Sequence, residues 1–202
     1  VYKRQVYNYP EEFFNERTHT IRRPRPDDFQ IKEAADLIKK SKKPIIIAGG
    51  GVFYSDATKE LSAFAKKHNI PVTQTVMGYS SIKKDHTHYL GTIGGLGGKA
   101  ANNLSKETDT AIAIGTKLAD FTTGSWANFE NPNFKLVSIN AARFDANKHM
   151  AQAIVGDAKV SLIELSQALG NWKADDNWYK KSRVELKNWE AYVEKESGPT
   201  LS

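Results

Sequence analysis

Short apolar segments alternate with helical patterns between residues 44 and 170, and this alternation restricts the fold more than any other feature of the chain. β-branched residues on both faces of a segment are typical of strands buried in a parallel sheet. Such segments occupy residues 45–48, 72–76, 111–114, 136–139 and 153–155, with weaker strand character at 89–93. They alternate with helical periodicity at residues 57–68, 98–105 and 158–169. The pattern predicts an α/β, three-layer, Rossmann-like fold with about six mostly parallel strands and helices on both faces.

Two segments of different character flank the predicted sheet. Residues 1–26 are rich in Tyr, Phe, Arg and Pro without a sustained period, which predicts an incoming linker arm. Within it, the prolines of Arg22–Pro26 favour an extended strap. The domain proper is predicted over residues 27–170. Residues 171–202 are predicted as an outgoing helical linker, and they carry an apolar stripe that needs a partner not necessarily present in the chain: Trp178, Leu186, Trp189 and Val193.

Acidic and hydroxyl residues stand at the starts of three predicted helices, where their side chains can accept hydrogen bonds from free backbone N–H groups. Asp27 or Asp28 precedes a helix whose apolar face is predicted from the spacing of Ile31, Ala34, Ala35 and Ile38. Ser55 or Asp56 precedes the helix at 57–68. Asp157 precedes the last. These residues predict where each helix begins.

Composition excludes several classes of protein. The chain has no cysteine, so it has no disulfide, no thiol nucleophile and no cysteine-based zinc site. Its net charge of +6 comes from 29 basic and 23 acidic residues spread along the chain, which does not favour a nucleic-acid partner. No apolar run is long enough to span a membrane, and no secretory signal is present, so we expect a cytoplasmic protein. The chain starts with Val1 instead of Met, and we expect a piece of a longer protein.

Glycines stand where ligands bind in an open parallel sheet, at the carboxyl ends of strands. Gly49, Gly50 and Gly51 follow the first strand, and Gly115 and Thr116 follow another. We identify these five residues as a candidate vestigial nucleotide site. The alternative is that the glycines only let each strand turn tightly into the next element.

Known nucleotide motifs are incomplete around these glycines. Tyr54 occupies the position of the third Gly of a dinucleotide fingerprint, and Gln74 stands where an acidic residue would hold the ribose. The Gly94–Gly98 loop does not match a P-loop, although its N–H groups could meet an anion at the next helix start. Neither a classical NAD site nor a magnesium–phosphate site is predicted.

The histidines do not predict a metal centre. His86 and His88 would share one face if they lay on a strand, but no third or fourth ligand follows from the spacing. No nucleophile motif or acid–base pair is present either. The residues alone therefore predict a nucleotide-type fold with no catalytic residue and no metal ligand.

Several segments resemble the central domain of thiamine-diphosphate-dependent enzymes. They are Lys43–Val52, Ile70–Gly78, Ala113–Leu118 and Ile154–Ala158, and the resemblance extends over about residues 28–170. It implies the DHS/sirtuin-like nucleotide-binding version of the predicted fold. It also implies that thiamine diphosphate and Mg²⁺ are bound outside this chain, by pyrimidine-binding and diphosphate-binding domains of the same protein. A homo-oligomer is implied as well.

Three further segments are similar to the branch of that family that opens a cyclic 1,2-diketone in myo-inositol breakdown: Asp120–Trp126, Tyr9–Phe14 and Ile21–Pro26. The resemblance implies a full-length hydrolase of a carbon–carbon bond, in which this chain is a scaffold without activity of its own. Ser138–Ala141 lacks the acidic residue that FAD-binding relatives carry, which argues against FAD. Two alternatives remain: the FAD-binding central domain of an enzyme like acetolactate synthase, and a free-standing nucleotide-binding module.

Overall fold

The sheet has six strands, all parallel, in a computed structural model that describes residues 8–20 and 22–198. The first seven residues and Ile21 of the predicted arm, and the last four of the predicted linker, lie outside the described residues. The strands are β1 (Pro44–Ala48), β2 (Val72–Gln74), β3 (Tyr89–Thr92), β4 (Thr110–Ile114), β5 (Lys135–Asn140) and β6 (Gln152–Val155). Their spatial order is β3-β2-β1-β4-β5-β6. The predicted α/β architecture is confirmed.

Helices cover both faces of the sheet. They are α1 (Asp28–Lys39), α2 (Gly50–Tyr54), α3 (Thr58–His68), α4 (Lys99–Glu107), α5 (Asp120–Thr123), α6 (Arg143–Ala146), α7 (Ala158–Leu169) and α8 (Asp176–Ser197). α1, α3 and α7 pack on one face, and α4 and α8 on the other. Ile46 belongs to the first core, whereas Ile45 and Ile47 belong to the second. Side chains alternate across a strand, so burial on both faces requires the unbroken apolar runs seen in the sequence.

Two of the three predicted helix caps form. Asp27 accepts hydrogen bonds from the N–H groups of the first turn of α1, and Asp157 does the same for α7. The prediction for the second helix is wrong: Ala57 is the N-cap of α3, without a side-chain bond. The additional helix α2 occupies the chain just before it, and Asp56 adopts a φ of 52° and pairs with Lys159 at 3.1 Å.

The final helix α8 finds its apolar partner within this chain. Trp178 is 4% exposed, and its Nε1 donates to the Pro44 carbonyl at 2.8 Å. Further along, the indole of Trp189 lies so close to Gly98 that a Cβ there would be 2.5 Å from its Nε1. The sequence left open whether this chain contains the partner of the stripe, and for Trp178 and Trp189 it does. Whether residues 171–202 act as a linker stays a prediction.

The strap before α1 is extended and fixed to the body of the domain. The Asp157 N–H donates to the Pro24 carbonyl at 2.8 Å, and Arg23 pairs with the Asp157 carboxylate at 3.0 Å. Arg25 pairs with Glu164 of α7. The strap therefore crosses the point where β6 passes into α7. Along the described ranges, no helix combines the length and the apolar character that a membrane crossing needs.

Candidate functional site

A crevice of about 460 Å³ opens at the carboxyl ends of β1, β2 and β4. β2 and β4 lie on opposite sides of β1, so the strand order reverses its direction at β1. The crevice lies at this switch point, which is where open α/β sheets bind ligands. Its walls are mainly apolar, from Tyr54, Val76, Met77, Leu96 and Phe121. Lys117 is the cationic residue in its lining. Sequence reasoning missed this apolar wall, although the signal was visible as large apolar residues within two to seven positions of strand ends.

The structure brings the five predicted site residues together. Gly50, Gly51, Gly115 and Thr116 line the crevice, and Gly49 lies against the β4 turn. A Cβ on Gly49 would be 2.4 Å from the Gly115 carbonyl oxygen, and one on Gly51 would be 2.6 Å from the Gly115 Cα. Real side chains do not fit such distances. Close contact between two turns of the chain thus accounts for these glycines without a ligand.

Backbone hydrogen bonds already occupy several N–H groups of these turns. Gly51 donates to the Gly115 carbonyl at 2.9 Å, and Gly49 donates to the Ile114 carbonyl at 2.8 Å. Gly115 itself donates to the Ile139 carbonyl at 2.8 Å. A phosphate cradle needs free N–H groups directed at the anion. These three are engaged elsewhere, and the role of the five residues in nucleotide binding stays a prediction.

The Gly94–Gly98 loop is also internally bonded. Gly94 donates to Asn102 Oδ1 at 2.9 Å, Gly95 donates to the Phe121 carbonyl at 2.7 Å, and Gly98 donates to the Thr92 carbonyl at 2.9 Å. The indole of Trp189 lies over Gly98 at the start of α4. These amides are therefore not available to the anion that the sequence suggested for this loop.

The crevice does not fit a thiamine diphosphate and its metal. No Asp or Glu lines it, and the described ranges contain no group of three or more His, Asp or Glu that could hold a metal ion. Asn140, at the end of β5, uses its amide to bond the Thr116 carbonyl at 3.3 Å and the Ala142 N–H at 2.9 Å. The crevice therefore offers neither a carboxylate nor a cation site for that cofactor among the described residues.

The histidines have structural roles. His86 and His88 do not lie on a strand, because both precede β3. His88 Nε2 bonds Asn69 Oδ1 at 3.2 Å, and its Nδ1 bonds Thr87 Oγ1 at 3.0 Å, so neither nitrogen is free for a metal. Burial lowers the pKa of His88 to about 4, and also lowers the pKa of His68. The lowered pKa values favour the neutral imidazole at both His88 and His68.

A larger cavity of about 590 Å³ lies at the opposite, amino edge of the sheet. It is lined by polar and charged side chains, among them Asp36, Lys40 and Asp109. Asp109 already accepts from the N–H groups of Lys42 at 2.8 Å and Lys43 at 3.1 Å, where it fixes the turn before β1. We assign no site there, because Asp109 serves the turn and ligands of open α/β sheets bind at the other edge.

Known proteins with similar sequences include several hydrolases. A trihydroxycyclohexane-1,2-dione hydrolase of Clostridium perfringens is 45% identical over 165 residues, covering 82% of this chain and 26% of the relative. One of Clostridium tetani is 37% identical over 207 residues, covering 98% of this chain and 32% of the relative. One of Bacillus cereus is 41% identical over 165 residues, covering 82% and 26%. The chain thus spans about a quarter to a third of the length of these relatives.

A family model also matches the chain. The model describes the central domain of thiamine pyrophosphate enzymes, and it matches residues 31–165, which begin in α1 and end in α7. The match therefore contains all six strands and helices on both faces of the sheet, and it ends before α8. Both the fold and the match agree with the family resemblance drawn from the sequence. The chain belongs to the thiamine pyrophosphate enzymes, as their central domain.

Proposed function

We propose that the chain is the central domain of a thiamine-diphosphate-dependent hydrolase that opens the ring of 3D-(3,5/4)-trihydroxycyclohexane-1,2-dione in myo-inositol catabolism. The observation that carries the proposal is the identity of 37–45% to hydrolases of that name, over 82–98% of this chain. Water added across the bond between the two carbonyl carbons leaves one as a carboxylic acid and the other as an aldehyde.

In this proposal the domain is a scaffold that spaces and orients catalytic domains. The absence of any acidic residue from its crevice supports that role. Thiamine diphosphate and Mg²⁺ would be held by the flanking pyrimidine-binding and diphosphate-binding domains. The division into an arm (1–26), a domain (27–170) and an outgoing linker (171–202), the homo-oligomeric state and the cytoplasmic location are parts of the same proposal.

The test is an activity assay on the full-length protein that contains this chain, with thiamine diphosphate and Mg²⁺ supplied. The cyclic 1,2-diketone should give one open-chain product per substrate consumed, which carries one carboxylic acid and one aldehyde group. Pyruvate is the matched alternative substrate, because an acetolactate-synthase-like enzyme would condense it. Consumption of pyruvate together with a bound flavin, and no reaction of the diketone, would reject the proposal in favour of that rival.

The crevice also favours a second candidate function, nucleotide binding by the central domain. A cavity of about 460 Å³ at the switch point, with Lys117 at its wall, has the position and charge that a nucleotide needs. Calorimetric titration of the full-length protein with ADP, NAD and FAD tests it. Saturable binding that weakens in Lys117→Ala but not in Lys135→Ala, at the amino edge, would support this candidate. No binding of any of the three would reject it.

A further inference from the structure

Large apolar side chains are exposed in the loops and short helices that follow the carboxyl ends of β1 to β5. Met77 is 79% exposed, Tyr54 77% and Phe121 75%, and none of these side chains packs into either core. We call the following set the carboxyl-edge surface: Phe53, Tyr54, Val76, Met77, Tyr79, Leu96, Phe121 and Phe144. Exposure of so many apolar groups at one edge marks an interaction site.

The incoming chain enters at this same edge. Arg23 donates to the Ser55 carbonyl, directly after Phe53 and Tyr54 of the carboxyl-edge surface. The strap then reaches Asp157, the second residue after β6. The chain before residue 22 therefore connects to the domain beside the carboxyl-edge surface.

The outgoing helix leads to the same edge from the opposite direction. α8 begins near Pro44 at the amino end of β1, where Trp178 is bonded, and reaches Gly98, beyond the carboxyl end of β3, at Trp189. Lys99 Nζ lies 4.2 Å from the ring centroid of Tyr192. The eight residues after Trp189, from Glu190 to Ser197, continue the helix for about 12 Å at the usual rise. Both connections of the domain thus lie at its carboxyl edge.

We propose that the carboxyl-edge surface docks a flanking domain of the same polypeptide. This inference rests on the proposed function, in which the chain is one part of a longer thiamine enzyme. The relatives place more than two thirds of their length outside the matched segment, so there is ample chain to cover the surface. Because both connections leave the domain at this edge, the flanking domains are tethered beside it, which raises their effective concentration there.

A nucleotide alone does not account for the surface. Phe53, Tyr79 and Phe144 are exposed but do not line the crevice, so the apolar area is wider than the cavity. The N–H groups of Gly49, Gly51 and Gly115 are occupied, which removes phosphate contacts that would retain such a ligand. A protein partner can cover the whole apolar area, and it does not need phosphate contacts to bind.

The two methionines of the sequence provide a direct test. Met77 belongs to the carboxyl-edge surface, whereas Met150 is 99% exposed at the amino edge, just before β6. Oxidation of each by dilute peroxide is followed by mass spectrometry in the intact full-length protein, relative to the same protein unfolded in denaturant. Sulfoxide formation follows access to the sulfur. We expect the oxidation rate of Met77 to be at least about tenfold lower than in the unfolded protein. Met150 should keep most of its unfolded-state rate.

A charge placed within the surface should undo the protection. Phe121→Glu should return the Met77 rate towards that of the unfolded protein, while Val184→Glu, a matched change on the exposed side of α8, should not. Lysine cross-linking identifies what covers the surface: Lys117 should link to residues outside this chain. Links between two copies of this domain, detected with mixed isotopes, would overturn the proposal in favour of a second copy.

The remaining outcomes also decide the question. A Met77 rate close to that of the unfolded protein would overturn the docking, and so would protection that appears only after ADP or FAD is added. None of these measurements requires turnover. A protein inactive on the diketone but protected at Met77 would refute the hydrolase assignment and keep the docking, whereas an active protein with unprotected Met77 would do the reverse.

Discussion

His88 should make the stability of the domain depend on acid. Its ring is 6% exposed and its pKa is lowered from 6.5 to about 4, first by burial and then by the charges of His86, Arg183 and Lys66. Asn69 Nδ2 donates to Asp176, so Asn69 Oδ1 accepts from His88 Nε2. His88 Nδ1 is then the nitrogen without a proton. The neutral ring is the form that the fold stabilises.

The direction in which pH changes the free energy of unfolding follows from proton binding. Between about pH 6.5 and pH 4 the unfolded chain has a protonated His88 and the folded chain does not, so the free energy of unfolding falls as the pH is lowered. The pKa difference corresponds to about 3 kcal/mol, since each pKa unit is worth about 1.4 kcal/mol. This contribution is fully present above about pH 6.5 and lost by about pH 4.

Urea unfolding of the chain at several pH values in this window, followed by tryptophan fluorescence, measures the effect. His88→Gln should flatten the dependence of the unfolding free energy on pH by close to one proton, even if it is less stable at neutral pH. His19→Gln, at an exposed position on the arm, is the control and should leave the slope unchanged. Equal slopes in the wild type and His88→Gln would refute the reasoning.

Three substitutions test the packing of the domain. Trp178→Ala should lower the free energy of unfolding by about 3–5 kcal/mol in urea titration, because it removes a buried indole and its bond to Pro44; a loss under about 1 kcal/mol would mean that α8 is not docked. Gly49→Ala should cost more than about 2 kcal/mol in thermal unfolding, since its Cβ would collide with the Gly115 carbonyl; a stable variant would contradict the close contact of the two turns. Asp157→Ala should cost about 1–2 kcal/mol by the same measurement through loss of the α7 cap and the Arg23 pair, and no change would show that the strap is held by other contacts.

The positions of the strands were predicted closely, because the strands that are buried on both faces are also the apolar runs of the sequence. Strands buried on both faces must be apolar at every position, and this makes Pro44–Ala48 and Thr110–Ile114 visible in the sequence. The α7 helix, Ala158–Leu169, was predicted at its observed bounds, since an N-cap aspartate and a closing glycine mark its ends. The short helices α2 and α5 were missed because four or five residues carry no periodic signal.

The sequence predicted which residues of the candidate site lie together, and their role in nucleotide binding stays a prediction. Residues far apart in sequence, Gly49 to Gly51 and Gly115 to Thr116, were grouped correctly at one sheet edge because carboxyl ends of parallel strands meet there. Which hydrogen bonds their amides make depends on the distance between two turns, and no local pattern encodes that distance. The partner of α8 was missed for a similar reason: Gly98 admits Trp189 only in the folded chain.

The sequence by itself determined the fold class, the order of the elements and the family, because each depends on residues near one another in the chain or on segments that follow one another at set spacings. The tertiary structure alone decided that the glycines are used by contacts between turns, that the first half of α8 packs on the sheet, and that the exposed apolar side chains and both chain connections share one edge. These are properties of contacts between distant residues. They exist only when the sheet brings its carboxyl ends together.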